Sequence, residues 1–337
     1  MPDPAISVVV PVFNNPAGLG ACLEALAAQQ TARPFEVVVV DDASTTDLDE
    51  VRRAFATRLD LRWHRLPRNS GPATARNAGI QAARGELVLF TDGDCRPEPG
   101  WLEALAAPFA DPAVAGTKGV YRSAQDDRWA RLAQLEFEER YELLARHADI
   151  DFVDTYAGAF RRADLLAVGG FDTSFPRADN EDVDLSFRVK ARGGRFVFTP
   201  AAIVWHRHRE GWWNYARLKF GRGFWRMKVY RRHPGKAGRD TYTPWTLKAS
   251  LALVGLLPAA LLWRRWRLPW LAAWLAACLP LARLARRLAP DLLPWIPLFL
   301  FVRGAALAAG MATAVASVLQ PPGPLPTPAE PPPRSPS

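Results

Sequence analysis

The sequence predicts an α/β fold: a mostly parallel sheet flanked by helices, followed by C-terminal membrane-associated helices. Three observations predict it. Val-rich runs alternate with helix-patterned segments over the first third of the chain. Those runs are continuously apolar, as in strands covered on both faces of a parallel sheet. Beyond residue 244 the chain turns apolar in blocks long enough to enter a bilayer.

The elements follow in order. "ISVVVPVF" reads as a first strand. Pro16 to Gln29 reads as a helix, capped by Asn14 or Asn15 with Pro16 at its first position. "FEVVVVDD" is a second strand, Leu48 to Arg58 a helix and "LRWHRL" a third strand. Pro72 to Arg84 is again a proline-opened helix, "ELVLF" a fourth strand and Gly100 to Phe109 a helix. The stretch from 112 to 206 is less regular. Arg128 to His147 reads as a helix, and "TYAGAFRRADLLAVGGFD" as a strand, a short helix and a glycine turn. "NEDVDLSFRVKARGG" fits either period. Asn180 as cap, acids in the first turn and the closing glycines favour a helix. "RFVF" and "AAIVWH" read as two strands.

After Asp240 three apolar stretches appear, Thr246 to Trp263, Leu268 to Ala282 and Leu292 to Leu319. Arg264, Arg265 and Arg267 separate the first two, and basic loops favour the cytoplasmic side. A single crossing by the first stretch would put those arginines across the membrane from a cytoplasmic catalytic domain. A shallow hairpin or interfacial pair avoids this. The alternative is a set of buried soluble helices, which the scarcity of charge opposes. The Pro-rich tail from 320 has no means of building a core and is expected to be disordered.

Composition narrows the function classes. At 337 residues and 49% hydrophobic, the chain suffices for one large domain plus an appendage. Cys22, Cys95 and Cys278 are odd in number and far apart, so neither a disulfide framework nor a zinc cluster is indicated, and a reducing compartment fits. The N-terminus lacks a basic n-region and reads as a strand rather than a signal peptide. Eleven Lys/Arg against two acids between His206 and Asp240 account for the whole formal charge of +9. Nucleic acid is one reading of such a stripe. The interleaved Trp212, Trp213, Tyr215, Phe224, Trp225 and Tyr230, next to apolar spans, favour an anionic membrane surface instead.

In doubly wound sheets ligands bind beyond the carboxyl ends of the strands. Here those ends carry Phe13 and Asn14, Asp41 and Asp42, and Asp92 to Asp94. Two aspartates one residue apart are able to face a hard cation, which takes oxygen ligands. The tripeptide Asp-Gly-Asp alone is more often a turn; its place after a core strand, beside two other polar strand ends, makes it a candidate metal site.

The motifs "VVVPVFNN", "VVVVDDASTTD", "RNSGPATARNAG", "LVLFTDGDCRPEPGWLEAL", "GAFRRADLLAVGGFD" and "NEDVDLSFRVKARG" stand in this order over roughly residues 5 to 205. Together they resemble family 2 glycosyltransferases with a GT-A (nucleotide-diphospho-sugar transferase) fold. The resemblance implies an inverting transferase that moves a sugar from a nucleotide-diphosphate sugar, a UDP-sugar by preference, to a lipid-linked or envelope-glycan hydroxyl. It implies Mn²⁺ or Mg²⁺, with Asp94 as ligand and Asp92 on the ribose or the metal. It implies that Asp42 meets the donor base, with Asp41 as runner-up and a helix cap as the plain alternative. Pro11 and Phe13 match the nucleotide-contacting first loop, though Phe13 suits a core equally. Arg76 would reach the base or diphosphate, against the reading of a solvated helix face. A carboxylate of "NED" would be the general base, Asp182 ahead of Glu181, although acids are favoured in any first helical turn. His206 would be a further metal ligand, with His208 as competitor.

The expected organisation is therefore a catalytic domain over 1–205, a basic and aromatic juxtamembrane segment over 206–243, membrane-associated helices over 244–319 and the tail. The catalytic domain would face the cytoplasm at the cytoplasmic membrane. A non-catalytic nucleotide-sugar-binding membrane protein of the same fold is the alternative function. A dinucleotide-dependent oxidoreductase is disfavoured, because "PVFNNPAGLG" lacks the required glycine spacing.

Overall fold

The structure is a computed structural model that describes residues 4–175, 179–238 and 240–317. The chain forms two compact units. Among the described residues, the first takes those up to Val120 and Phe152–Val204; the second takes Tyr121–Asp151 and those from Trp205 on. The expected disordered tail lies outside the described residues.

The first unit is built on an eight-stranded sheet. Its strands are β1 (Ile6–Val12), β2 (Phe35–Asp41), β3 (Leu61–Arg65), β4 (Leu87–Phe90), β5 (Arg96–Pro97), β6 (Val114–Arg122), β7 (Gly158–Arg161) and β8 (Arg195–Trp205). The spatial order is β3-β2-β1-β4-β7-β6-β8-β5. The half that runs from β3 to β4 is parallel. β7 is antiparallel to both of its neighbours, β4 and β6. Helices α1 (Pro16–Ala27), α2 (Asp49–Phe55) and α3 (Pro72–Ala82) connect the parallel strands, α4 (Trp101–Ala106) lies between β5 and β6, and α6 (Arg162–Ala167) and α7 (Glu181–Lys190) follow β7.

The valine runs explain the parallel half. Val8, Val9, Val10 and Val37 to Val40 are fully buried, at roughly 1.5–3 kcal/mol each. Helix α3 lies so close over β1 that a Cβ on Gly79 would stand 2.3 Å from the Val9 side chain. The α1 cap is Asn15, whose Oδ1 accepts the Gly18 N–H at 3.0 Å. The alternating residues of "VDLSFRV" form a helix, α7, as expected, with the Asn180 carbonyl accepting the Asp184 N–H at 3.1 Å and no capping bond from the Asn180 side chain. The two strands expected from "RFVF" and "AAIVWH" are one continuous strand through Pro200. β5 is only two residues long, so most of β8 behaves as an edge, where proline is tolerated.

The second unit is helical. It contains α5 (Arg128–Leu144), α8 (Trp212–Arg232), α9 (Trp245–Leu262), α10 (Arg264–Leu288) and α11 (Ile296–Ser317). Its core gathers Leu132 and Leu135 of α5, Tyr215 of α8, Leu281 and Leu284 of α10, and Phe299 and Leu300 of α11. The helix expected over 128–147 thus groups with the C-terminal helices. The last three helices are each long and apolar enough to cross a membrane by length and composition. Pro258, Pro269 and Pro280 lie inside α9 and α10 without ending them.

One buried charge cluster organises this unit. Glu136, 1% exposed, accepts from Lys219 Nζ at 2.7 Å, Tyr215 OH at 2.7 Å and Arg140 Nη2 at 2.5 Å. Burial pushes its pKa up, and the Lys219, Arg140 and Arg303 charges outweigh burial and hold it well below the carboxylate range. Arg140 also donates to Tyr242 OH at 3.1 Å, and Arg303 approaches Glu139 at 3.5 Å.

Candidate active site

The parallel pairing of β2, β1 and β4 brings their carboxyl ends to one edge. Val12 lies in register with Asp41, and Val9 with Phe90. The loop after β1 is locked to the loop after β2. The Asn14 N–H donates to Ser44 Oγ at 2.9 Å, and Asn14 Oδ1 accepts the N–H groups of Thr45 at 2.7 Å and Thr46 at 3.1 Å. Asn14 adopts φ 51°, a left-handed conformation that asparagine tolerates. Phe13, beside it, is 46% exposed rather than packed in the core. Pro11 is half-buried on β1, with its carbonyl oxygen 3.0 Å from where a Gly93 Cβ would stand.

Both aspartates at the end of β2 hold loops. Asp42 accepts the Ser70 N–H at 2.7 Å on Oδ1 and the Gly71 N–H at 2.9 Å on Oδ2. Gly71, at φ 86°, supplies the left-handed turn into α3. Asp41 accepts the Ser44 N–H at 2.8 Å and pairs with Arg65. A cleft of about 410 Å³ opens on the Asp41 side, lined by Ser44, Thr45, Asp47, Arg52, Trp63 and Arg65 among others.

At the end of β4, Asp92 closes a turn by accepting the Cys95 N–H on its carbonyl at 2.9 Å. Its side chain is 29% exposed, and Asp94 is exposed. Burial pushes the thiols of Cys22 and Cys95 up, and the charges of Asp92 and Asp94 push both further. The two aspartates therefore project one negative field over this end of the sheet. Carboxylate oxygens in such a field fit a hard divalent cation.

Arg76 ties this edge together. It is 3% exposed on α3. Its Nη2 donates to Asp92 Oδ1 at 2.7 Å and its Nη1 to Glu181 Oε1 at 2.9 Å. Burial opposes its charge, but Asp92, Glu181 and, more weakly, Asp182 raise its pKa and keep it cationic. The guanidinium also sits 5.7 Å over the Phe171 ring. The loop that leads toward α7 is anchored to α3 by Asn77, which donates to the Phe171 carbonyl at 2.8 Å and accepts the Phe171 N–H at 2.7 Å.

The two acids of α7 differ. Glu181 is 2% exposed, with Oε1 on Arg76 and Oε2 accepting the Asp179 N–H at 2.7 Å. Asp182 is half-buried, and its Oδ1 accepts the Val183 N–H at 2.8 Å. His206 lies in the second unit, where its ring stacks 4.8 Å from Tyr121. His208, also in that unit, meets Gln134 Oε1 at 2.8 Å through Nε2.

Asp92, Arg76, Glu181 and Asp182 thus meet in the first unit, and Asp42 lies at the adjacent strand end. Sequence reading did not single out the Asn14 clamp, Trp63, or the ion pair of Lys118 and Asp154, both buried. Only the placement of Asn14 directly after a core strand hinted at the first.

Residues 7–167 match the family model described as "Glycosyl transferase family 2". The chain is similar to a "Pre-mycofactocin glycosyltransferase" of Mycobacterium tuberculosis, 32% identical over 237 residues, which is 68% of this chain and 48% of the relative. It therefore spans about half the length of that relative. It is also similar to "Glycosyltransferase AglE" of Haloferax volcanii, 37% identical over 30% of this chain and 34% of the relative. Among solved structures, "Mannosyltransferase PcManGT from Pyrobaculum calidifontis in complex with GDP-Man and Mn2+" shares the fold, with a TM-score of 0.60 and 24% identity over 94% of this chain and 88% of that one.

Proposed function

From this chain's membership of glycosyl transferase family 2, with a GT-A fold, we propose that it is an inverting glycosyltransferase taking its sugar from a nucleotide-diphosphate donor, UDP-linked by preference. The observation that carries this reading is the Arg76 bridge, which joins Asp92 at the β4 end to Glu181 at the start of α7. The bridge draws a donor-side carboxylate and the start of α7, whose second residue is the candidate base Asp182, toward one guanidinium. Asp94, with Asp92, would hold the divalent metal, Mn²⁺ or Mg²⁺, and His206 is a further candidate ligand. When bound, such an ion neutralises charge on the departing diphosphate.

The chain's own groups have separate tasks. Asp42 and the exposed Phe13, next to Pro11, receive the nucleotide. Arg76 sets the Asp92 carboxylate and supplies fixed positive charge. Asp182, the more accessible acid of α7, takes the proton from the acceptor hydroxyl. Glu181 is committed to Arg76 and positions it. The acceptor is lipid-linked or an envelope glycan at the cytoplasmic membrane, with the catalytic unit on the cytoplasmic side. The apolar helices of the second unit support that choice.

The test is a thermal-shift screen of nucleotide sugars with Mn²⁺ on the wild type and Asp94→Ala, read beside sugar transfer to a membrane lipid extract. Donor-dependent stabilisation in wild type, lost in the variant, is expected. Absence of any donor effect in wild type defeats the assignment. Donor binding without transfer would instead favour a non-catalytic nucleotide-sugar-binding protein.

A further inference from the structure

The packing of the second unit speaks against a membrane crossing by its last helix. A Cβ on Gly223 of α8 would stand 2.3 Å from the carbonyl oxygen of Leu307, and one on Gly310 of α11 would stand 2.0 Å from that of Phe220. The two contacts run in opposite chain directions, so the helices are antiparallel. Their lengths, 21 and 22 residues, lay one along the other. Helix α8 carries seven Lys/Arg and no acid. A bilayer that enclosed the apolar length of α11 would also enclose that basic helix, which hydrocarbon does not accept.

Helix α10 is two-faced. Trp274, Cys278, Leu281 and Leu284 are buried in the unit's core. Leu268, Leu271, Leu275 and Leu279, spaced three and four residues apart, are 46–77% exposed and form an apolar stripe. Both ends are basic, with Arg264, Arg265 and Arg267 before the stripe and Arg283, Arg286 and Arg287 after it. Although α10 as a whole has the length and mean apolarity of a span, its charge-free stretch between Arg267 and Arg283 is shorter than the roughly 20 residues that a spanning helix needs, so a crossing would draw arginines into the hydrocarbon. A spanning α10 would place one basic cluster on each side. A flat α10 places both on the same side. Helix α9 is tied to it across a one-residue turn, with Trp270 Nε1 donating to the Leu253 carbonyl at 2.8 Å. Trp263 and Trp266 at that turn are 50% and 51% exposed, as interfacial tryptophans are.

We propose that the chain is monotopic: the α9–α10 hairpin lies in the interface of one anionic leaflet, and no described helix crosses the bilayer. The leucine stripe enters the acyl region, while the arginines at both ends of α10 meet lipid phosphates. A second copy of the chain is a poorer occupant, because its stripe would bring the same two arginine clusters against these.

Two measurements on the full chain test this without reference to transfer. The first is flotation with vesicles of phosphatidylcholine and phosphatidylglycerol. Wild type is expected to float, and Leu271→Asp/Leu275→Asp to bind at least tenfold more weakly with unchanged circular dichroism. Undiminished flotation of that variant, or a lipid-free dimer that the same variant dissociates, overturns the proposal. The second uses Arg265→Cys and Glu50→Cys, the latter at an exposed position of α2. The native cysteines are buried and leave a low background. A membrane-impermeant maleimide applied to spheroplasts and to inside-out vesicles is expected to label both variants from the same side. Labelling of Arg265→Cys from the side opposite Glu50→Cys rules the topology out.

Discussion

At the residue scale, the candidate site is tied together by an arginine buried inside the protein. Arg76 is buried and its two carboxylate partners lie 16 and 105 residues away. Removing one member of a buried pair leaves the other charge uncompensated, at about 3–5 kcal/mol. Arg76→Met is therefore expected to lower stability by about that amount in urea unfolding, because Glu181 stays buried without its cation. Asp182→Asn keeps an oxygen for the Val183 N–H and leaves Arg76 paired. It is expected to change stability by less than about 0.5 kcal/mol and to lower kcat by about 10²–10⁴-fold. A stable, active Asp182→Asn enzyme would move the base elsewhere. The local patterns "DGD" and "NED" were readable in the sequence because strand ends and helix starts carry short signals. The Arg76 bridge was not, since nothing near residue 76 records a partner a hundred residues on. The same distance hid the Asn14 clamp, whose partners lie about thirty residues away.

At the element scale, the first four strands and their helices were legible because short strand-patterned runs alternate with helices, two of which open on a proline. In the other half β7 and β8 were read as strands, but β6 and the antiparallel pairing of β7 were not. β6 contains Thr117, Lys118 and two glycines within an otherwise apolar run, so its pattern is broken although eight of its nine residues are buried. Helix α5 shows the same effect in charge. Its Glu136 and Arg140 look like ordinary helix-surface residues, yet they form the buried cluster with Lys219 of α8. Because the Glu136 carboxyl is held below the ordinary glutamate value of 4.5, it stabilises the folded unit fully above that pH, and the contribution is lost as pH falls below it. Glu136→Gln leaves Lys219 and Arg140 without their carboxylate. The variant is expected to be about 3–5 kcal/mol less stable near pH 7, with a shallower fall below pH 4.5 than wild type. Urea midpoints measured from pH 3 to 7 decide this. Parallel acid limbs in the two proteins would show that Glu136 is not the group responsible.

At the scale of the whole molecule, the sequence suggested consecutive segments over 1–205, 206–243, 244–319 and a tail, while the compact units group the chain in a nested way. Residues 121–151 leave the first unit's stretch of sequence and join the helices after 205. Energetics also constrain the helical unit. At ~2.5–3.5 kcal/mol for each Lys or Arg at mid-bilayer, the seven on α8 would cost roughly 20 kcal/mol, more than the 5–15 kcal/mol that holds a typical domain folded. In the proposed monotopic arrangement the basic helix stays at the lipid surface, and α11 stays with it. The nesting makes its own prediction. A truncation to residues 1–205 keeps α5 but removes α8, α10 and α11, against which Leu132, Leu135 and Glu136 are buried. Unpaired, that face exposes leucines beside a carboxylate whose cations are gone. The fragment is expected to elute as aggregate in size exclusion, to bind ANS and to lack a cooperative thermal transition. The full chain in phosphatidylglycerol-containing vesicles should unfold cooperatively. A monomeric 1–205 fragment with a sharp transition would show that α5 closes its apolar face without the second unit, and that the division of the chain lies at 205 after all.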